Sequence, residues 1–91
     1  MNKINFRKIY NSDFSQLRKI INSWELYDFT SNDEFDSLNN KILSHLYKNA
    51  DSEKLSRIIQ SELNKNYGLF YNELDTEKLT YEVLEWWQNK N

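Results

Sequence analysis

One stretch of the sequence carries the signals of a complete helix, DSEKLSRIIQSELNKNYG at residues 51–68. Asp51 is a residue type that caps helix N-termini, because its carboxylate accepts a hydrogen bond from a free backbone N–H group. Gly68 stands where a helix often ends in the left-handed conformation. The apolar residues between them recur at helical spacing: Leu55, Ile58, Ile59 and Leu63. The stretch therefore predicts an amphipathic helix from the Asp51 cap to about Asn66.

A second helix of this kind is predicted N-terminal to it, over about residues 13–24. Asp13 and Gln16 have the spacing of a capping box, in which the two side chains satisfy free N–H groups at the helix start. Its apolar face consists of Phe14, Leu17, Ile20, Ile21 and Trp24. Residues 3–10 mix strand-like and helix-like spacing, and we expect a short helix or an ordered arm there.

Two further helices are predicted in the middle and at the end of the sequence. Ser31 and Glu34 form a capping box for a helix over about residues 32–47, and Asp75 caps a helix over about residues 76–88. The inward faces are formed by Phe35, Leu38, Ile42, Leu43 and Leu46, and by Leu79, Val83, Trp86 and Trp87. Both patterns have the period of an α-helix.

The connections decide how these helices are arranged. The predicted links are short, which favours antiparallel neighbours. Residues 67–73 predict a loop whose aromatic side chains close one end of the bundle. The sequence thus predicts an all-α fold: one domain over residues 1–91, formed by a compact antiparallel bundle of four main helices with a short N-terminal helix or arm.

The composition excludes several classes of function. The chain has no cysteine and one histidine, His45, so thiolate sites and sites with two imidazoles are ruled out. Gly68 is the single glycine, which excludes glycine-rich phosphate loops. No apolar run reaches the length of a membrane span, and the N-terminal residues lack the apolar core of a signal peptide. We expect a cytoplasmic protein without metal or cofactor.

Catalysis is also disfavoured by the sequence. His45 is the one imidazole available to activate a nucleophile, and its position flanks the apolar face of the predicted second helix. We interpret it as a residue at the boundary of the core. The acids lie on predicted surface segments without an obvious cleft. We therefore expect neither catalytic residues nor a small-molecule substrate.

The most distinctive charge pattern is an acidic segment at residues 24–36, which holds five acids, no base and several aromatic rings. Acids steer a basic partner towards a protein, and aromatic rings supply buried contact area. The alternative is that acids in a first helical turn merely complement the helix dipole. We expect Trp24 and Phe35 to support the segment from within. The predicted partner contacts are Glu25, Tyr27, Asp28, Asp33, Glu34 and Asp36.

Two other surfaces are alternative sites for binding a partner. Residues 1–19 hold five basic side chains, which could neutralise phosphates, but the sequence pI near 5.3 argues against nucleic-acid binding. Trp86 and Trp87 are adjacent, so they point about 100° apart on a helix. One is expected in the core, while the other flanks it or lies at a contact surface.

The middle of the chain, about residues 17–68, resembles the YugE-like family of small helical bacterial proteins. The resemblance is carried by five short elements: Ile20-Ile21-Asn22-Ser23-Trp24, Asp33-Glu34-Phe35-Asp36, Ile42-Leu43, Leu55 with Ile58-Ile59, and Asn66-Tyr67-Gly68. That family typically has Asp-Pro after its tryptophan, where Glu25-Leu26 stands here. The resemblance implies an all-α bundle and implies no activity, because the function of the family is unknown.

In type, the chain is also similar to the immunity proteins of bacteriocins and contact-dependent toxins. Those proteins are small, helical and often acidic, and they block a toxin domain by binding it. We accordingly expect a toxin-neutralising immunity protein whose protein partner is a cognate basic toxin domain, for example a nuclease. The alternative is a regulatory or phage-encoded inhibitor of another host protein, which would use the same surface or the tryptophans of the last helix.

Overall fold

A computed structural model describes residues 3–26, 34–69 and 75–90 of the chain. Those residues form four α-helices and no strand, so the predicted all-α bundle is confirmed. Among the described helices, none combines the length and the apolar composition that a membrane span requires. The helices are α1 (Lys3–Ser23), α2 (Asp36–Tyr47), α3 (Ser52–Tyr67) and α4 (Thr76–Asn89).

Helix α3 confirms the signals at both of its ends. The Asp51 side chain caps it by accepting a hydrogen bond of 2.8 Å from the backbone N–H of Lys54. Gly68 ends it at φ 69°, and the backbone N–H of Leu69 returns to the carbonyl of Leu63 at 2.9 Å. A return bond over six residues of this kind is typical of a helix that ends at a left-handed glycine. Of the predicted loop at 67–73, residues 70–73 lie outside the described residues.

Helix α4 begins as predicted. The Asp75 carboxylate accepts a hydrogen bond of 3.1 Å from the backbone N–H of Lys78, and the helix runs to Asn89. These caps depend on residues within one turn of the helix end, which is why the sequence alone could locate them.

Helix α1 starts ten residues earlier than expected, at Lys3. The N-terminal residues, predicted as a separate short helix or arm, instead extend α1 without a break. Tyr10 and Phe14 stack one turn apart with ring centroids 6.1 Å apart, and Tyr10 also lies 6.1 Å from the ring of Tyr47. The capping role predicted for Asp13 is therefore wrong, because Asp13 lies within the helix and is 3% exposed.

Helix α2 starts later than predicted, at Asp36, so the helix expected from residue 32 is too long. The capping box predicted at Ser31 and Glu34 is not the start of the helix, although Ser31 itself lies outside the described residues. Phe35 occupies the cap position without a side-chain cap bond. Its ring is 4% exposed and lies 4.8 Å from the ring of Tyr67, so packing on α3 positions this helix start.

The core lies between the four helices, and every helix contributes to it. Asn39 is a polar member, fully buried in α2, and its amide donates a hydrogen bond of 2.9 Å to the carbonyl of Phe14 in α1. A buried amide needs such a partner, because leaving it unbonded costs about 1–3 kcal/mol. The buried apolar residues are Leu17, Ile21, Phe35, Leu38, Ile42, Leu43, Leu46, Leu55, Ile59, Leu63, Leu79 and Val83.

Candidate partner-binding surface

The acidic segment is described in two parts, the end of α1 and the turn before α2. Glu25, Glu34 and Asp36 lie in these parts, whereas the predicted contacts Tyr27, Asp28 and Asp33 lie outside the described residues. The structure therefore bears on three of the six predicted contacts. The side chains of Glu25 and Glu34 are exposed, whereas that of Asp36 is half-buried.

Glu25 follows the end of α1 and is exposed. Its backbone has φ 53°, the left-handed conformation that commonly ends a helix. Among the described residues its side chain has no ion pair or hydrogen bond. The preceding Trp24 is half-buried, and its indole N–H donates to Oε1 of Glu82 at 3.4 Å. This bond joins the residue after α1 to α4.

Glu34 is also exposed, while its backbone is held by α3. The phenol of Tyr67 donates a hydrogen bond of 3.3 Å to the carbonyl of Glu34. The next residue, Phe35, lies in the core as its position in the pattern predicts. The described residues offer the Glu34 carboxylate no partner, so its charge faces solvent.

Asp36 is half-buried and bound by Arg18 of α1. The guanidinium Nε donates to Oδ1 at 3.0 Å, and Nη2 donates to Oδ2 at 2.5 Å. The guanidinium also lies 5.2 Å from the ring centroid of Phe14. Two parallel bonds of this kind give a fixed geometry and compensate the carboxylate charge. Asp36 therefore joins α1 to α2 and offers less charge to a partner than Glu25 or Glu34.

A polar cluster that the sequence does not predict lies at another place in the bundle. Asp13 accepts a hydrogen bond of 2.6 Å from the phenol of Tyr47, and its other oxygen lies 3.2 Å from Nζ of Lys90. The Lys90 ammonium also lies 4.4 Å from the ring centroid of Trp87. One signal could have revealed the cluster: Asp13 precedes Leu17 by four residues and so shares its buried face.

The surroundings of this cluster indicate that it has a structural role. Burial, and next the hydrogen bond to Asp13, raise the pKa of Tyr47 above its ordinary value. The phenol therefore stays protonated at neutral pH and serves as a donor. Among the described residues, no group of three acidic or imidazole side chains could hold a metal ion.

The two adjacent tryptophans divide between different neighbours. The indole N–H of Trp86 donates to Oε1 of Gln16 at 2.8 Å, and Trp87 meets the ring of Tyr47 edge-on at 5.3 Å. Both are half-buried, so neither has the fully buried position expected for one of them. His45 is half-buried at the end of α2, which confirms its predicted position at the boundary of the core.

Comparison with known proteins gave no match to a family model, a curated protein or a solved structure. The resemblance to the YugE-like family therefore stays a prediction that depends on the residues quoted for it.

Proposed function

We propose that this chain is an immunity-type inhibitor that binds a basic toxin domain in a one-to-one complex through the acidic segment. The observation that supports this most is the state of Glu25 and Glu34. Both carboxylates are exposed and have no partner among the described residues. The neighbouring Asp36 is already paired, so among the described acids of the segment the two glutamates carry the charge that a partner would meet.

Both glutamates stand on backbone that is held in place. Trp24 joins one side of the segment to α4, and Tyr67 holds the carbonyl of Glu34 on the other. Charges presented by a fixed backbone bind at lower entropic cost than charges on a disordered chain. Complementary charge of this kind speeds the encounter of two proteins by about 10- to 1,000-fold at low salt.

The first experiment is a pull-down from lysate of the source cells at low salt, with the full chain immobilised. A first double variant, Glu25→Lys with Glu34→Lys, reverses the two exposed charges. A second double variant, Asp28→Lys with Asp33→Lys, reverses two charges that lie between them in the sequence. Glu53→Lys with Glu77→Lys is the matched control, since it changes the net charge equally and lies in the groove between α3 and α4. We expect parent and control to retain the same basic protein in equal molar amount, and both reversal variants to lose it.

The proposal fails if the reversal variants retain the same proteins as the parent. The association rate of the recovered protein gives a second check, because charge reversal at Asp28 and Asp33 should slow it strongly at low salt. Expression of the recovered protein without this chain then distinguishes an immunity protein from a regulatory inhibitor. An immunity protein requires that its partner arrests growth and that co-expression restores it, whereas a harmless partner would favour the regulatory inhibitor.

Nucleic-acid binding through residues 3–19 is less well supported. One of its basic side chains, Arg18, is bound to Asp36 and is thereby withdrawn from phosphates. Titration with labelled DNA and RNA over a range of salt concentrations tests it, and salt-sensitive binding at ~50 mM salt would favour it.

A further inference from the structure

The ammonium group of Lys90 lies in a site formed by three other side chains. Its Nζ is 3.2 Å from Oδ1 of Asp13 and 4.4 Å from the ring centroid of Trp87. Tyr47 completes the site, because its phenol donates to the other oxygen of Asp13 at 2.6 Å and its ring lies edge-on to Trp87 at 5.3 Å. A carboxylate beside an aromatic face is a combination that binds ammonium groups. We call Asp13, Tyr47 and Trp87 the ammonium site.

The ammonium site requires a cation. The side chain of Asp13 is 5% exposed, and a buried carboxylate without a counter-charge is strongly unfavourable. The phenol of Tyr47 donates a hydrogen bond but brings no charge. Within the described part of the chain, Lys90 is the one cation paired with Asp13. The fold therefore needs an ammonium group at this place, whichever molecule carries it.

Lys90 is held less firmly than the side chains around it. Asp13, Tyr47 and Trp87 belong to α1, α2 and α4, whereas Lys90 follows the end of α4 with an extended backbone at φ −73° and ψ 154°. Its backbone N–H donates to the carbonyl of Trp86 at 2.9 Å. Residues at a helix end open at lower free-energy cost than residues within the packed bundle. Lys90 can therefore leave the site while the three other side chains keep their places.

A cleft leads from solvent to the ammonium site. It lies between α1 and the end of α4, has a volume of about 380 Å³, and is lined by both Asp13 and Lys90. Gln16 forms a fixed part of its wall, because its Oε1 accepts from the indole of Trp86 at 2.8 Å and its Nε2 donates to Ser12 at 3.0 Å. A ligand chain in this cleft reaches the Asp13 carboxylate once Lys90 has moved aside.

Two further residues of the cleft indicate which cation it takes. Ile9 is 40% exposed there and offers apolar surface to a methylene chain. Lys8 also lines the cleft, and its charge disfavours a ligand with several positive groups. Because Lys8 is exposed, salt screens its repulsion of a single ammonium. The cleft thus favours one ammonium group on an alkyl chain over a polyamine.

We propose that the ammonium site binds the primary ammonium group of an alkyl chain, as found in a lysine side chain or a free amine, and that Lys90 is a tethered occupant which this ligand displaces. The ligand donates to Oδ1 of Asp13 and lies over the ring of Trp87. A primary ammonium binds better than a quaternary one, because only N–H groups donate to the carboxylate. If Lys90 fills the site for about nine-tenths of the time, the parent binds the ligand about tenfold more weakly than a chain without this side chain.

The test adds n-butylammonium chloride to the full chain with Lys90→Ala, against sodium chloride of equal concentration. We expect the amine to raise the midpoint of urea denaturation. At ten times its Kd, the amine should lower the unfolding equilibrium constant about tenfold. If Lys90→Ala is unfolded in sodium chloride, recovery of helical circular dichroism in the amine is the equivalent result.

NMR of the tryptophan side chains measures the affinity and the place of binding. The ring protons of Trp87 should shift saturably with n-butylammonium, at about tenfold lower concentration in Lys90→Ala than in the parent. The indole of Trp24, which bonds to Glu82 after the end of α1, is the internal reference and should not move. Lys19→Ala is the matched control, since Lys19 is exposed on α1 outside the cleft, and it should bind like the parent.

Two further arms identify the chemistry and its source. Asp13→Asn combined with Lys90→Ala removes the charged acceptor, so the amine should no longer stabilise the chain. Nα-acetyl-lysinamide carries the lysine side chain without a free α-amine. If it binds Lys90→Ala as tightly as n-butylammonium, the ligand is the side chain of a protein lysine, and if n-butylammonium alone binds, the ligand is a free amine.

Four results would overturn the proposal. The first is equal stability of Lys90→Ala in n-butylammonium and sodium chloride. The second is equal stabilisation of the double variant, which would place the amine away from Asp13. The third is equal stabilisation by tetramethylammonium, which would leave only contact with the ring. The fourth is equal affinity of the parent and Lys90→Ala, which would show that Lys90 does not occupy the site. None of these measurements contains the toxin partner, so they leave the proposed function to its own test.

Discussion

The carboxylate of Asp13, within α1, accepts a hydrogen bond of 2.6 Å from the phenol of Tyr47, the last residue of α2. Its other oxygen binds Lys90, the residue that follows α4. One acid, 3% exposed, thus joins three helices. Buried carboxylates are costly unless bonded, so the cluster is stable while all of its members are present.

Removal of the acid should therefore destabilise the bundle. Asp13→Ala leaves Lys90 and the Tyr47 phenol without their shared acceptor, and we expect a loss of about 2–4 kcal/mol in the free energy of unfolding. Tyr47→Phe keeps the ion pair and should cost about 1 kcal/mol. Urea denaturation measures both, with the exposed Glu77→Ala as control. Equal stability of Asp13→Ala and Glu77→Ala would contradict the structural role of Asp13.

Tyr47 should also make the stability of the protein fall at alkaline pH. Its pKa in the folded protein is raised by burial and by the bond to Asp13, above the value of about 10 that applies in the unfolded chain. The folded state therefore binds more protons between these two pKa values, so stability is fully present below about pH 10 and falls above it. Urea denaturation from neutral to strongly alkaline pH should show a shallower fall for Tyr47→Phe. An identical pH dependence in both proteins would refute this.

At Glu25, a substitution is expected to stabilise the protein. Its φ of 53° lies in the left-handed region, where a residue with a side chain is strained by about 1 kcal/mol and glycine is not. Glu25→Gly should raise the free energy of unfolding by up to about 0.5 kcal/mol, because the greater freedom of glycine in the unfolded chain offsets part of the relieved strain. Glu25→Ala is the control, since it removes the same carboxylate and keeps the strain. If alanine stabilises as much as glycine, charge and not backbone strain is the cause.

At Gly68, which has a similar backbone angle, a substitution is expected to destabilise the protein. Its φ is 69°, and a Cβ built on it would meet no atom within 4 Å. Gly68→Ala should therefore cost about 1 kcal/mol through conformation alone, without a clash. Gly68→Asn should cost less, because asparagine adopts this conformation more readily, as Asn49 does at φ 63°. Thermal unfolding ranks the three proteins, and a loss for asparagine as large as that for alanine would contradict this explanation.

The candidate surface could be foreseen only in part. The run of acids and rings at residues 24–36 is visible in the sequence, but the pairing of Asp36 with Arg18 is not, because it joins residues 18 positions apart. The cluster around Asp13 could not be predicted for the same reason, because Tyr47 and Lys90 come near Asp13 only when the helices pack together.

By itself, the sequence determined the helical class, the larger part of each buried face and the ends of α3 and α4, including the complete helix at residues 51–68. Those features depend on the period of apolar residues and on caps formed within one turn, so they need no distant partner. Tertiary structure alone decided that Asp13 lies inside α1 and that α2 begins at Asp36. Distant packing of Tyr47 on Asp13 and of Tyr67 on Phe35 outweighs a local capping preference of about 1 kcal/mol.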